Sequence, residues 1–128
     1  MTLRAFVVED KVSLRESLIE ALAELADVTT CGVAGNEKAA IAWLTNEANQ
    51  WDLAIVDLIL EPGGSGFGVL RALRNRKPEQ KMVVLTGTAN ANVRRQCEVL
   101  GSDGVFDKSM ETESLMSYCL ALSQAAKG

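Results

Sequence analysis

The chain has 128 residues, with 13 Lys and Arg against 17 Asp and Glu for a formal net charge of −4, 48% hydrophobic residues and no histidine. That length suits one domain around one core, the charge argues against direct contact with a nucleic acid backbone, and the missing imidazole excludes His–zinc sites and Ser–His triads. No segment nears the roughly 18 uninterrupted apolar residues of a membrane span, and the opening MTLRAFVVED turns acidic too early for a signal peptide, so a cytoplasmic protein is expected.

In chain order, Ala5 to Val8 reads as a buried strand closed by Glu9-Asp10. From Ser13 the apolar period becomes 3.6, with Leu14, Leu18, Leu22 and Leu25 on one face and Ser13 and Glu16 spaced as a capping box, which predicts a first helix. Val28 to Val33 is β-branched and partly polar, as an edge strand is. Gly35-Asn36 supplies a turn and an N-cap, and Ile41, Leu44 and Ala48 mark a second helix. Leu53 to Val56 is a fully apolar third strand that stops at Asp57. A Pro/Gly loop follows, and a third helix opens near Ser65 with Val69, Leu70 and Leu73, stopping before Pro78. Met82 to Leu85 is a fourth strand ending in Thr86-Gly87-Thr88. A fourth helix carries Val93, Cys97 and Leu100 and closes at Gly101. A short fifth strand around Val105-Phe106 ends in Asp107-Lys108-Ser109, and a last helix presents Leu115, Cys119, Leu122 and Ala126.

Five strands alternating with five helices predict an α/β fold: a doubly wound, five-stranded parallel sheet of order 2-1-3-4-5, covered by helices on both faces. Cys31, Cys97 and Cys119 fit neither a disulfide frame nor a zinc motif, and Cys97 and Cys119 are expected as buried thiols. Arg71, Arg74, Arg76 and Lys77 read as a solvated helix face.

In that strand order the residues just past the strands converge on one edge: Glu9 and Asp10, then Asp57, Thr86 and Lys108. Carboxylates gathered there repel by about 4 kcal/mol for a pair roughly 4 Å apart at an effective dielectric near 20, so cations must answer them. Lys108 is one, and oxygen-only ligands in a partly hydrated site fit Mg²⁺, which leaves positions for phosphate oxygens. The chemistry that completes this set is phosphoryl transfer, with central Asp57 as the nucleophile, Glu9 and Asp10 on Mg²⁺, Lys108 and the Thr86 hydroxyl on phosphoryl oxygens, and Gly87 keeping access open.

VVED at Val7 to Asp10, IVDLIL at Ile55 to Leu60, VLTG at Val84 to Gly87 and DGVFDKS at Asp103 to Ser109 stand in an order that resembles the response regulator receiver family, the CheY-like, flavodoxin-like phosphoacceptor domains of bacterial two-component signalling. The resemblance covers essentially the whole chain and implies a single receiver domain over residues 1–128 with no output domain. It implies phosphorylation of Asp57 by the phosphohistidine of a histidine kinase or histidine phosphotransfer protein. Mg²⁺ would be held by Glu9, Asp10, Asp57 and the backbone carbonyl of Ile59, and there would be no enzymatic activity beyond the chain's own phosphorylation and dephosphorylation. The modified Asp57 would draw Thr86 and Lys108 inward, remodel the loop after strand four and alter the surface of helix four, strand five and helix five, where a downstream protein target would bind. A homodimer formed on phosphorylation is left open, and neither nucleic acid nor membrane is expected as a direct partner.

Four departures from the family pattern stand out. The loop after Asp57 is one residue longer, placing Pro62 and Gly66 one position late; Ser109 replaces a proline after Lys108; Val105 stands where an aromatic is usual, with Phe106 beside it expected in the core; and Glu9 replaces the commoner Asp. Three rival readings weigh less. A phosphorylation-independent interaction module predicts a missing acceptor or metal pair. A haloacid-dehalogenase-like phosphatase needs a second Asp where Ile59 stands. A flavodoxin-like cofactor protein needs a Ser/Thr/Gly loop where Glu9-Asp10-Lys11 would repel an anion.

Overall fold

Alternation along three apolar strands creates two cores. In β1 (Leu3–Val8) the side chains of Leu3, Ala5 and Val7 join one apolar cluster, and those of Phe6 and Val8 the other. The same division runs through Leu53–Val56, with Leu53 and Ile55 against Ala54 and Val56, and through Lys81–Thr86, with Val83 against Met82 and Val84. Strands apolar on both faces need cover on both, which is why helices lie on two sides.

The computed structural model describes residues 2–60 and 63–127. Its sheet strands are β1, β2 (Val28–Ala34), β3 (Leu53–Val56), β4 (Lys81–Thr86) and β5 (Gly104–Asp107), all parallel and in the order β2-β1-β3-β4-β5. This is the expected 2-1-3-4-5 arrangement. On one face α1 (Val12–Ala26) and α5 (Thr112–Lys127) bury Leu22, Ala26, Leu115 and Cys119. On the other, α2 (Glu37–Leu44), α3 (Gly66–Ala72) and α4 (Ala91–Val99) bury Ala40, Leu44, Val69, Leu70 and Cys97. Among the described residues no helix is long and apolar enough to cross a membrane.

Several local expectations are corrected. Lys11 takes the N-cap of α1 without a side-chain cap bond, so Ser13 lies inside the first turn and forms no capping box with Glu16. Leu14 and Leu25 are exposed, because the helix turns Ala26 toward the sheet, and only Leu22 of the expected stripe is fully buried. α2 ends at Leu44, where the Thr45 hydroxyl folds back onto the Ile41 carbonyl at 2.6 Å, leaving Ala48 exposed and outside the helix. Ala126 is exposed near the end of α5.

Arg76 is no solvated residue either. Its guanidinium donates to the carbonyls of Gln80 (2.7 Å), Leu73 (3.2 Å) and Gly101 (2.9 Å) and to Asp103 Oδ2 (2.8 Å), whereas Arg71, Arg74 and Lys77 do face solvent.

A feature not read from the sequence is an antiparallel ribbon after β3, pairing Ile59 with Ser65 and Leu60 with Gly64. Pro62 lies outside the described residues. Gly66 opens α3 behind the N-cap Ser65, and a Cβ there would fall 2.1 Å from the Asp57 carbonyl oxygen, so only glycine lets α3 begin this close to the strand end.

Candidate functional site

The strand ladders deliver the acidic residues. Val8 pairs with Val56, and one residue further the Asp57 N–H donates to the Val8 carbonyl (3.0 Å) while the Glu9 N–H donates to that of Ala34 (3.0 Å). Both carboxylates therefore leave the carboxyl edge of the sheet from fixed backbone. Lys108 arrives from the far side: β5 pairs with β4 up to Thr86 and Asp107, and the Lys108 N–H donates to the Thr86 carbonyl at 2.9 Å. Where the family has proline, Ser109 turns the chain by donating its N–H (2.8 Å) and hydroxyl (2.7 Å) to Asp107 Oδ1.

The convergence is tight. Lys108 Nζ lies 2.9 Å from Asp57 Oδ2 and 3.0 Å from Glu9 Oε1, with Glu9 4% and Asp57 7% exposed. One carboxylate oxygen each from Glu9, Asp10 and Asp57 falls within 4.8 Å of the others. Thr86 is fully buried and its hydroxyl meets its own loop, 3.1 Å from Thr88 Oγ1. A Cβ at Gly87 would meet nothing within 4 Å, so this glycine borders open space. Ile59 is exposed, and its N–H reaches toward Asp57 Oδ1 at 3.4 Å.

The charges do not balance. Burial is the main force on Glu9, and with Asp57 alongside it outweighs Lys108 and pushes the carboxyl up to about 7. An apolar cavity of about 340 Å³, lined by Leu14, Leu18, Ala21, Ile55 and Leu85 among others, borders the cluster on the α1 side. Burial also works against the Lys108 charge, but its bonds to Asp57 and Glu9 prevail and raise its pKa. Among the described residues, Glu9 Oε2 is buried without a hydrogen-bond partner. An orphaned buried carboxylate oxygen beside two further acidic oxygens is a hard, all-oxygen donor set, and these residues fit Mg²⁺.

All five strand-end residues thus gather at one edge, with Thr86 turned to its loop. Phe106 packs in the α1/α5 core against Tyr118 (centroids 5.8 Å apart), as expected, while Val105 faces the α4 side. Sequence reasoning missed two supporting residues. Arg15 donates to the Glu9 carbonyl at 3.2 Å, and Glu37 accepts the Ser65 N–H at 2.8 Å, holding the ribbon against α2. Neither follows a strand, so strand ends could not reveal them.

The sequence profile of the response regulator receiver domain matches residues 5–119. Relatives include the nitrate/nitrite response regulator protein NarL of Escherichia coli (strain K12), 30% identical over 122 residues, covering 95% of this chain and 54% of that protein. The two-component response regulator PhoP of Pseudomonas aeruginosa is 30% identical over 126 residues, covering 98% and 54%. The chain spans about half the length of the curated relatives it matches. Among solved structures, the Francisella response regulator 1452 receiver domain superposes with a TM-score of 0.82 at 18% identity, covering 98% of this chain and 99% of that one. The receiver domain of a NarL regulator from Mycobacterium tuberculosis gives 0.78 at 24%, covering 99% and 98%. Carrying this profile over most of its length and the same fold throughout, the chain belongs to the response regulator receiver domain family of two-component systems.

Proposed function

We propose that the chain is a phosphoacceptor switch in which Asp57 receives a phosphoryl group from a phosphohistidine of a histidine kinase or histidine phosphotransfer protein. The observation that carries this reading is the Glu9–Lys108–Asp57 cluster with its orphaned Glu9 oxygen: buried, net negative and short of one cation. Mg²⁺, held by Glu9, Asp10, Asp57 and the Ile59 carbonyl, would neutralise the charge of incoming phosphoryl oxygens.

The chain's own residues do the rest. An Asp57 oxygen forms the P–O bond as the P–N bond breaks, and the imidazole leaves with that electron pair and takes up a proton. Lys108 already sits beside Asp57 and pairs with a phosphoryl oxygen without a large movement. Thr86 must give up Thr88 to reach another, so the remodelling falls on the loop after β4. The altered surface of α4, β5 and α5 then meets a downstream protein, in the cytoplasm and without direct contact to nucleic acid or membrane. In this reading the chain catalyses only its own phosphorylation and dephosphorylation.

Incubation with a small acyl phosphate and Mg²⁺, followed by intact mass measurement, tests it. The expected result is gain of one phosphoryl group, labile to hydroxylamine and absent without Mg²⁺ or in Asp57→Asn. Modification that persists in Asp57→Asn would contradict the assignment.

A further inference from the structure

β5 is the outer strand of the sheet beside β4, and an outer strand leaves carbonyls and N–H groups without a strand partner. Two of these are taken by side chains. Arg94 of α4 donates from Nη1 to the Val105 carbonyl at 2.8 Å, and Glu111 Oε1 accepts the Asp107 N–H at 3.0 Å. Arg94 Nη2 also pairs with that same Glu111 oxygen, so guanidinium and carboxylate together stand where a sixth strand would. The third arm of Arg94 points elsewhere: Nε donates to the Ala89 carbonyl at 3.3 Å.

These contacts join two loops that the phosphoryl chemistry uses. Ala89 ends the Thr86-Gly87-Thr88 stretch that must rearrange, and Asp107 and Glu111 flank Lys108. With Val105 at the position where the family has its usual aromatic, the polar guanidinium is what physically spans loop, strand and helix here. We propose that Arg94, acting with Glu111, is the positioning residue that transmits the state of the Asp57 site to α4. The inference rests on the phosphoacceptor reading above. When Thr86 leaves Thr88, the Ala89 carbonyl moves, the longest of the three bonds yields first, and the guanidinium either shifts α4 or surrenders the edge of β5. Because Arg94 and Glu111 are each about a third or more exposed (40% and 33%), the tie is weak enough to exchange between two arrangements.

Amide and arginine Nε–H NMR of the whole chain, titrated with Mg²⁺ and beryllofluoride as the phosphoryl mimic, tests this. In the wild type, shifts at Asp57 and Lys108 are expected to extend to the Arg94 Nε–H and to residues Val93 through Val99. In Arg94→Ala, shifts at Asp57 and Lys108 remain and those in α4 are lost. Arg94→Lys keeps the charge but cannot reach three acceptors at once, and shows the same split, which separates positioning from charge. Helix shifts that persist in both variants, or a wild-type Arg94 Nε–H that stays still while the site responds, overturn the inference. Silence at Asp57 and Lys108 in the wild type would overturn the phosphoacceptor reading itself. If Arg94→Ala does not fold, Arg94→Lys and the wild-type Nε–H signal decide.

Discussion

The two ends of the sheet use the same materials to opposite effect. At the amino end, Asp52 accepts from the Arg4 backbone N–H (2.8 Å), Nε (3.1 Å) and Nη2 (3.2 Å), and Asp103 accepts from Arg76 Nη2 (2.8 Å) and the Met82 N–H (2.8 Å). Burial alone would raise the Asp52 pKa, yet the Arg4 hydrogen bonds overcome it and hold that carboxyl below its ordinary value. At the carboxyl end one ammonium serves both Glu9 and Asp57, an oxygen of Glu9 has no partner among the described residues, and that carboxyl rises to about 7. Asp52 and Asp103 are each answered by an arginine of their own, so those pairs hold elements together. The second is deliberately short of positive charge, and that shortage distinguishes a site from a brace.

The largest expected effect is all-or-none. Asp57→Asn should abolish the NMR response to beryllofluoride with Mg²⁺, and a retained response would remove Asp57 from the centre of the site. Next comes the brace. Arg76→Ala removes a donor from each of four acceptors around a guanidinium only 8% exposed, leaving Asp103 with the Met82 N–H and Leu73 with the backbone N–H of residue 76, and should cost about 2–4 kcal/mol in urea unfolding. A cost below about 1 kcal/mol would mean that the Arg76 cluster is no tighter than an ordinary surface pair.

Glu9→Gln sharpens the contrast from the other side. Because the folded-state pKa of Glu9 is raised from 4.5 to about 7, its contribution to stability is full below about pH 4.5, falls as the pH rises, and is gone above about 7. The metal-free Gln variant should therefore be more stable than wild type by about 1–3 kcal/mol at pH 8, with the gap closing toward pH 5, as read by thermal melts across pH. A gap independent of pH would show that Glu9 titrates normally. The smallest effect is expected at Arg4→Ala, where both partners are about a third exposed (33% and 30%), and a loss under about 1 kcal/mol should appear in the same urea assay.

Much of this was legible in the sequence because strand ends are. Apolar runs stopping at Glu9, Asp57, Thr86 and Lys108 carry a one-dimensional signal, and a parallel sheet converts it directly into proximity. Helix faces were less legible. Leu14 and Leu25 satisfy the period of α1 and are still exposed, while Leu22 and Ala26 are the residues that this helix fully buries. Arg76 and Arg94 were hidden for a different reason: arginines on helices or in loops look solvated until tertiary structure shows which carbonyls they reach. The ribbon at Ile59 to Ser65 is two residues per strand, too short for any periodic pattern to announce.

The central claim is that the carboxyl end of the sheet awaits a cation, and calorimetric titration of the whole chain with Mg²⁺ near pH 7 in two buffers of different ionisation enthalpy tests it most directly. The account predicts saturable one-to-one binding whose heat depends on the buffer, because Glu9 releases a proton as the ion enters, and loss of that dependence in Glu9→Gln. No saturable heat in the wild type, or identical binding in Glu9→Gln and Asp57→Asn, would contradict it.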